Sequence, residues 1–171
     1  MNLTGIVYRP PYEADSLLLQ VTQGCSHNKC TFCYMYPEVQ FSVCPMEQVE
    51  ADIDEYARYR PSARRVFLEH GDAFVLSADR LLKIAEAIHR KLPQVETISM
   101  YASIQNIKGK TDEELRQLRA AGIHGLDIGV ERKRRRHRPA YQRGAAAPAV
   151  HRQLACRTRL QAVSGYENRR F

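Results

Sequence analysis

Apolar residues in the first 130 positions occur either in short continuous runs or at every third or fourth position of longer stretches. The short runs are typical of strands buried in a parallel sheet, and the longer stretches predict amphipathic helices. We expect the strands at residues 16–22, 65–69, 95–101 and 124–130, and the helices at about residues 45–59, 78–92 and 111–122. Because strands and helices alternate, the pattern predicts right-handed parallel crossovers and an α/β sheet.

Residues that commonly occur at helix termini mark the ends of two of these helices. Ser77 is suited to cap the start of the second helix, and Pro93 ends it. The run Thr111-Asp112-Glu113-Glu114 has the form of a capping box, and Gly122 closes the helix that follows. The second and third helices therefore have predicted ends that do not depend on their apolar pattern.

Residues suited to chemistry follow each predicted strand. A cysteine-rich loop, residues 24–33, follows the first strand, and Gly71 and Asp72 follow the second. Residues 102–105 follow the third strand, and Glu131 follows the fourth. Since open α/β sheets bind ligands at the carboxyl ends of their strands, we expect these segments to meet at one edge.

Three cysteines lie within nine residues of the cysteine loop, which reads Gly24-Cys25-Ser26-His27-Asn28-Lys29-Cys30-Thr31-Phe32-Cys33. Three thiolates so close together can hold a metal cluster, whereas disulfide pairing leaves one of them unmatched. The chain has five cysteines, an odd number, which favours a reducing compartment. The first residues lack the pattern of a secretion signal, and no run of about 18 apolar residues occurs. We therefore expect a cytoplasmic protein without a membrane partner.

Charge divides the chain after Glu131. Residues 1–131 contain 14 Lys and Arg against 18 Asp and Glu, whereas residues 132–171 contain 12 against 1. This C-terminal tail begins with a run of basic residues, 132–138, and shows no sustained apolar periodicity. We expect one α/β domain over residues 1–131, followed by a basic, disordered tail over residues 132–171.

The cysteine loop, with Phe32 directly before its last cysteine, resembles the radical S-adenosylmethionine (radical SAM) superfamily. Together with Arg9-Pro10-Pro11 and Gly71-Asp72-Ala73, it is similar to a poorly characterised branch of iron-sulfur oxidoreductase-like proteins. The resemblance covers roughly residues 5–131. The cysteines here are separated by four and then two residues, and the commonest superfamily spacing is three and then two.

The resemblance implies an incomplete parallel (βα) partial barrel of the radical SAM type. It also implies a [4Fe-4S] cluster held by Cys25, Cys30 and Cys33, with S-adenosylmethionine on the remaining iron. In the family, reductive cleavage of S-adenosylmethionine gives a 5′-deoxyadenosyl radical that abstracts hydrogen from substrate. The expected electron donor is a flavodoxin or a ferredoxin, and neither substrate nor catalytic residues are assigned.

The resemblance further implies a set of cofactor-binding residues. Phe32 is expected near the adenine, and Tyr34 at the same edge of the sheet. The loop of Gly71 and Asp72 corresponds to the family's glycine-rich motif, whose backbone meets the methionine amino group, and Gly71 permits close approach there. Glu131 corresponds to a fourth-strand position that contacts the nucleoside or the amino group.

Other interpretations of these residues stay open. A structural zinc site has only His27 and Cys44 as nearby fourth ligands. A [2Fe-2S] electron carrier of the plant ferredoxin type matches the cysteine spacing and needs Cys44 or Cys156 as its fourth ligand. Phe32 is equally suited to the core. Gly71 suits an ordinary turn, Asp72 a solvated loop and Glu131 the end of a strand.

The basic tail also has three interpretations: a nucleic-acid-binding module, a disordered extension, and the product of a shifted reading frame. We favour the third, because the resemblance stops at Glu131 whereas the family core continues with two more strand and helix units. Nucleic acid is therefore not the expected partner. We expect the chain as written to retain the cluster-binding half of the core and to have reduced activity.

Overall fold

The computed structural model describes residues 5–30 and 33–129, and their backbone follows the predicted alternation of strands and helices. The strands are β1 (Leu17–Gln20), β2 (Thr22–Gln23), β3 (Ser42–Val43), β4 (Arg65–Glu69), β5 (Thr97–Ala102) and β6 (Ile123–Ile128). The helices are α1 (Met46–Tyr59), α2 (Ala78–Lys91), α3 (Ile104–Lys108) and α4 (Asp112–Ala120). Short 3₁₀ turns cover Pro11–Glu13 and Ala73–Val75.

Four strands form a parallel sheet in the order β1-β4-β5-β6. Leu19 of β1 pairs with Leu68 of β4, and Leu68 pairs with Met100 on its other side. Strands β2 and β3 form a separate antiparallel ribbon. The predicted α/β fold with an incomplete parallel (βα) sheet is confirmed for the described residues, which form no closed barrel.

One face of the sheet carries the apolar core. Its side chains pack against apolar stripes of α1, α2 and α4, and burial stabilises the fold by about 1.5–3 kcal/mol for each large side chain. The core includes Leu17, Leu19, Val66, Leu68, Ile98 and Met100 from strands and Val49, Ile53, Leu81, Ile84, Ile88, Leu115 and Leu118 from helices. These residues explain why the periodicity predicts the helices.

The opposite face of the sheet is polar, and we refer to it as the inner face. Because side chains alternate along a strand, it is formed by Phe67, Glu69, Ser99, Tyr101 and Asp127. The rings of Phe67 and Tyr101 meet edge to face, with centroids 5.3 Å apart. Residues at the carboxyl end of this face lie beside the cysteine loop.

Element boundaries differ from the predictions by at most two residues. The first strand ends at Gln20, because the following residues pair with β3 instead of continuing in the main sheet. The fourth predicted strand corresponds to β6, which begins at Ile123, one residue earlier than predicted. Helix α3 was not predicted; it spans only five residues, too few for an apolar period, and Ser103 caps it by accepting from the Asn106 backbone N–H.

Several predictions concern residues outside the described part of the chain. These are the adenine contact of Phe32, the cofactor contact of Glu131 and the basic tail over residues 132–171. Within residues 5–30 and 33–129, no helix has both the length and the apolar character needed to cross a bilayer.

Candidate functional site

The cysteine loop begins at Gly24, immediately after β2. Gly24 has a φ of +70°, a backbone conformation that favours glycine. A Cβ at this position would lie 3.0 Å from the Val39 carbonyl oxygen. Both observations show that glycine is required where the chain leaves the ribbon and enters the loop.

Hydrogen bonds join the start of the cysteine loop to the loop after β4. The Gly71 backbone N–H donates to the Gly24 carbonyl at 3.0 Å, and the Gly24 N–H donates to His70 Nδ1 at 3.2 Å. The Ser26 hydroxyl donates to Asp72 Oδ2. We refer to these contacts between residues 24–26 and 70–72 as the loop clasp. The strand order places both loops at the carboxyl edge, as the sequence predicts.

Gly71 is the point of closest packing within the loop clasp. A Cβ there would lie 2.9 Å from the Cβ of Cys25 and 2.9 Å from Cε2 of Tyr36. Such distances are sterically excluded, so only glycine lets Cys25 approach this closely. The resemblance explains Gly71 by approach of the cofactor; the structure adds a requirement for packing against the cysteine loop.

Asp72 is buried, with 4% of its surface exposed, and is therefore not a solvated loop acid. Both of its carboxylate oxygens accept hydrogen bonds, Oδ2 from Ser26 and Oδ1 from Asn106 Nδ2 at 2.5 Å. Burial raises the pKa of Asp72, although the hydrogen bonds from Ser26 and Asn106 act in the opposite direction. Asp72 thus links the cysteine loop to α3, and its contact with a cofactor stays a prediction.

The three loop cysteines are not joined in disulfides, and their environments differ. Cys25 and Cys30 are half-buried, and Cys33 is exposed. The Cys33 backbone N–H donates to the Cys30 carbonyl at 3.1 Å. In the described part of the chain, no three His, Cys, Asp or Glu side chains are grouped as a metal site. The donor set, three thiols within one loop, fits an iron-sulfur cluster by its chemistry.

Cys44 lies apart from the loop in sequence and is held beside β2 and β3. Its backbone N–H donates to the Val21 carbonyl at 3.1 Å. Burial raises the pKa of the Cys44 thiol, and the negative charges of Asp52 and Glu69 raise it further. This environment disfavours the thiolate form of Cys44.

Tyr34 is exposed, with 66% of its surface accessible. It follows Cys33 in the loop, and its predicted contact with the cofactor stays a prediction. Of the eight predicted site residues, the structure brings Cys25, Gly71 and Asp72 together in the loop clasp.

Sequence reasoning did not predict the roles of three buried residues at the loop clasp: Tyr36, Glu69 and His70. The Tyr36 ring contacts those of Tyr8 and His70, at centroid distances of 5.6 and 5.2 Å. Glu69, the last residue of β4, is fully buried. Burial raises the pKa of Glu69 to about 7, and the negative charge of Asp52 contributes. The available signal was an acidic residue at the carboxyl end of an apolar strand.

No protein-family model matches the chain, and no curated protein matches it. A solved structure with some similarity is the X-ray structure of the FeFe-hydrogenase maturase HydG from Carboxydothermus hydrogenoformans. The two superpose with a TM-score of 0.39 and 16% sequence identity, over 64% of this chain and 24% of that chain. The aligned region therefore corresponds to about a quarter of that protein's length. A likeness of this extent establishes neither a shared family nor a shared activity.

Proposed function

We propose that the chain binds a [4Fe-4S] cluster through Cys25, Cys30 and Cys33 and uses it with S-adenosylmethionine in radical chemistry. The observation that carries this proposal is the loop clasp, which holds the first cysteine against the glycine of the loop after β4. Three thiolates leave one iron of such a cluster without a protein ligand. A cytoplasmic location and a flavodoxin or ferredoxin as electron donor belong to the same proposal, and the substrate is not assigned.

When bound, the cluster supplies an electron for cleavage of a carbon-sulfur bond in S-adenosylmethionine. The protein contributes position and shielding. Gly71 and His70 fix the backbone of Gly24 and hence the start of the cysteine loop. Asp72 fixes Ser26 and ties the loop to α3. Tyr36, with 3% of its surface exposed, covers the side of Gly71 next to Cys25.

Anaerobic reconstitution followed by electron paramagnetic resonance tests this proposal. We expect a reduced [4Fe-4S] signal that changes when S-adenosylmethionine is added, because the cofactor binds the open iron. A [2Fe-2S] signal that is indifferent to S-adenosylmethionine would instead show an electron carrier. Bound zinc without inorganic sulfide would contradict both.

A pair of glycine substitutions tests the loop clasp itself. Gly71→Ala places a methyl group against Cys25 and Tyr36, so we expect iron and sulfide incorporation to fall several-fold. Gly109→Ala is the matched control, since a Cβ there makes an ordinary contact of 3.4 Å with the Gln105 carbonyl oxygen. Equal cluster content in both variants would show that the loop clasp does not position the cysteines.

A further inference from the structure

Asp127 lies near the carboxyl end of β6, on the inner face of the sheet and two strands away from β4. Only 8% of its surface is exposed. Burial raises the pKa of Asp127 to about 6, and no cation among the described residues acts to lower it. The carboxyl group is therefore largely ionised at neutral pH without a positive partner in that part of the chain. Because buried charges in folded proteins are generally paired, such a carboxylate indicates a cationic ligand.

The hydrogen bond from Tyr12 does not account for the charge of Asp127. The Tyr12 hydroxyl donates to Asp127 Oδ1, but a hydroxyl carries no charge. Contact between the N-terminal segment and β6 needs only an acceptor, which the uncharged amide of an asparagine also offers. Tyr12 is 59% exposed, so a side chain that extends to the protein surface reaches the carboxylate. Asp127 is thus buried but close to solvent.

An aromatic ring lies beside Asp127 on the neighbouring strand. Tyr101 of β5 is the Cα partner of Asp127, so both side chains leave the inner face side by side, roughly 5 Å apart. The Tyr101 ring meets Phe67 at an interplanar angle of 87°. In such a perpendicular pair, at least one face of each ring is left uncovered by the other ring. Tyr101 is half-buried, so a flat aromatic surface next to the carboxylate is accessible to a ligand.

We infer that Asp127 and Tyr101 form a recognition site for a guanidinium group on a small-molecule substrate. A guanidinium group is planar and permanently charged, directs N–H donors at a carboxylate and stacks on aromatic rings. It is also less strongly hydrated than an ammonium group, so its burial costs less free energy. A metal ion is a poorer match, because one carboxylate supplies few ligands and the described residues offer no group of three metal-ligating side chains.

The inference rests on the proposed function only in naming the ligand a substrate. S-adenosylmethionine contains no guanidinium group, so the ligand is distinct from the proposed cofactor. Glu69 on β4 is a separate acid, two strand spacings or about 9–10 Å from Asp127. Binding can be measured on the chain without a cluster. A chain that binds a guanidinium probe but assembles no iron-sulfur cluster would therefore retain this site and refute the proposed function.

Nuclear magnetic resonance titration of the full chain, as isolated, tests the site with n-butylguanidinium. N-butylurea is the uncharged planar counterpart, and n-butylammonium is the charged counterpart without a plane. At about pH 8, above the pKa of Asp127, the carboxylate is ionised. We expect n-butylguanidinium to bind at least about tenfold more tightly than N-butylurea, because the neutral probe lacks charge-assisted hydrogen bonds. It should also bind more tightly than n-butylammonium and shift the amide signals of β5 and β6.

Four substitutions locate the bound probe. Asp127→Asn keeps an acceptor for Tyr12 and should weaken binding of n-butylguanidinium by at least about tenfold. Tyr101→Leu removes the aromatic face and should weaken it about two- to fivefold, whereas Tyr101→Phe keeps the ring and should change it less than about twofold. Glu69→Gln is the matched acid-to-amide control on β4 and should also change it less than about twofold, because salt screens charges at this separation. Circular dichroism verifies that each variant is folded.

The inference is overturned if n-butylguanidinium binds no better than N-butylurea, or less tightly than n-butylammonium. It is also overturned if the folded Asp127→Asn chain binds n-butylguanidinium as tightly as the unsubstituted chain. A loss of affinity in Glu69→Gln that is absent from Asp127→Asn would place the cation at β4 and likewise contradict the assignment.

Discussion

Three buried carboxyl groups at the inner face differ in the hydrogen bonds that they accept. Glu13 accepts hydrogen bonds from Arg65, one of them 2.5 Å long, and from Ser16. Although burial acts to raise it, these bonds hold the pKa of Glu13 below its usual value. Asp127 accepts a hydrogen bond from Tyr12, and burial raises its pKa to about 6. Among the described residues, no group donates a hydrogen bond to the Glu69 carboxylate. Because it is also fully buried, Glu69 has the highest pKa of the three carboxyl groups.

Glu69 should make the stability of the unliganded chain depend on pH. Its pKa is about 7 in the folded state, above the value of 4.5 expected when unfolded. The folded state therefore holds the proton more tightly, and stability is lost as pH rises from 4.5 through 7, by roughly 3 kcal/mol. Glu69→Gln removes this loss. Urea unfolding at about pH 5 and pH 8 should show the variant to be the more stable chain chiefly at the higher pH.

Glu13→Gln is the opposing control for this pH dependence. The folded-state pKa of Glu13 is depressed, so its contribution is present above the unfolded pKa and lost as pH falls. This substitution should destabilise the chain at about pH 8, by roughly 1–3 kcal/mol. A Glu69→Gln chain with the same stability difference at both pH values would refute the assigned protonation of Glu69.

The meeting of Cys25 with Gly71 and Asp72 was predictable, because strand order alone places both loops at one sheet edge. The environment of Glu69 was not. Its neighbours come from segments well separated along the chain, Tyr36 after the loop cysteines and Asp52 on α1, and packing alone determines their approach. Sequence spacing identifies residues that chemistry requires, whereas burial without a partner is visible only in three dimensions.

The helices and strands that agreed best with prediction are those whose ends are encoded by residues close together in the sequence. The predicted capping box of α4 is present: the Thr111 hydroxyl accepts from the Glu114 N–H at 3.1 Å, and Glu114 Oε2 accepts from the Thr111 N–H at 2.7 Å. Ser77 likewise caps α2 by accepting from the Arg80 N–H. By contrast, β2 and β3 contain two residues each and exist only through pairing with one another. Their formation depends on the path of the intervening loop.

Loss of the α4 cap should destabilise the fold measurably. Thr111→Ala leaves the first-turn N–H groups of α4 without a side-chain acceptor, which should lower the free energy of unfolding by about 1 kcal/mol. Leu115 and Leu118 attach this helix to the core, so the effect should appear in global urea unfolding. Thr111→Ser retains the hydroxyl and should be close to neutral. Equal stabilities of the two variants would show that the capping box contributes nothing.

At the scale of the whole molecule, the N-terminal segment over residues 5–16 connects parts of the sheet that are distant in sequence. The Tyr12 hydroxyl donates to Asp127 on β6, 115 residues away, and Glu13 pairs with Arg65 on β4. Tyr8 packs against Tyr36 beside the loop clasp. The segment thus spans the inner face from the outermost described strand to the candidate site. Apolar periodicity does not predict this, because the contacts are polar and individually placed.

Removal of the Tyr12 hydroxyl should loosen this connection. Tyr12→Phe deprives Asp127, with 8% of its surface exposed, of its hydrogen bond from the N-terminal segment, and should destabilise the chain by about 1–3 kcal/mol. Amide hydrogen exchange should accelerate in β6 and in residues 6–15, whereas the core helix α2 should exchange as before. Tyr59→Phe, which removes a hydroxyl from an exposed tyrosine of α1, is the control and should change neither. If exchange in β6 is equally slow in both variants, the N-terminal segment does not hold this edge of the sheet.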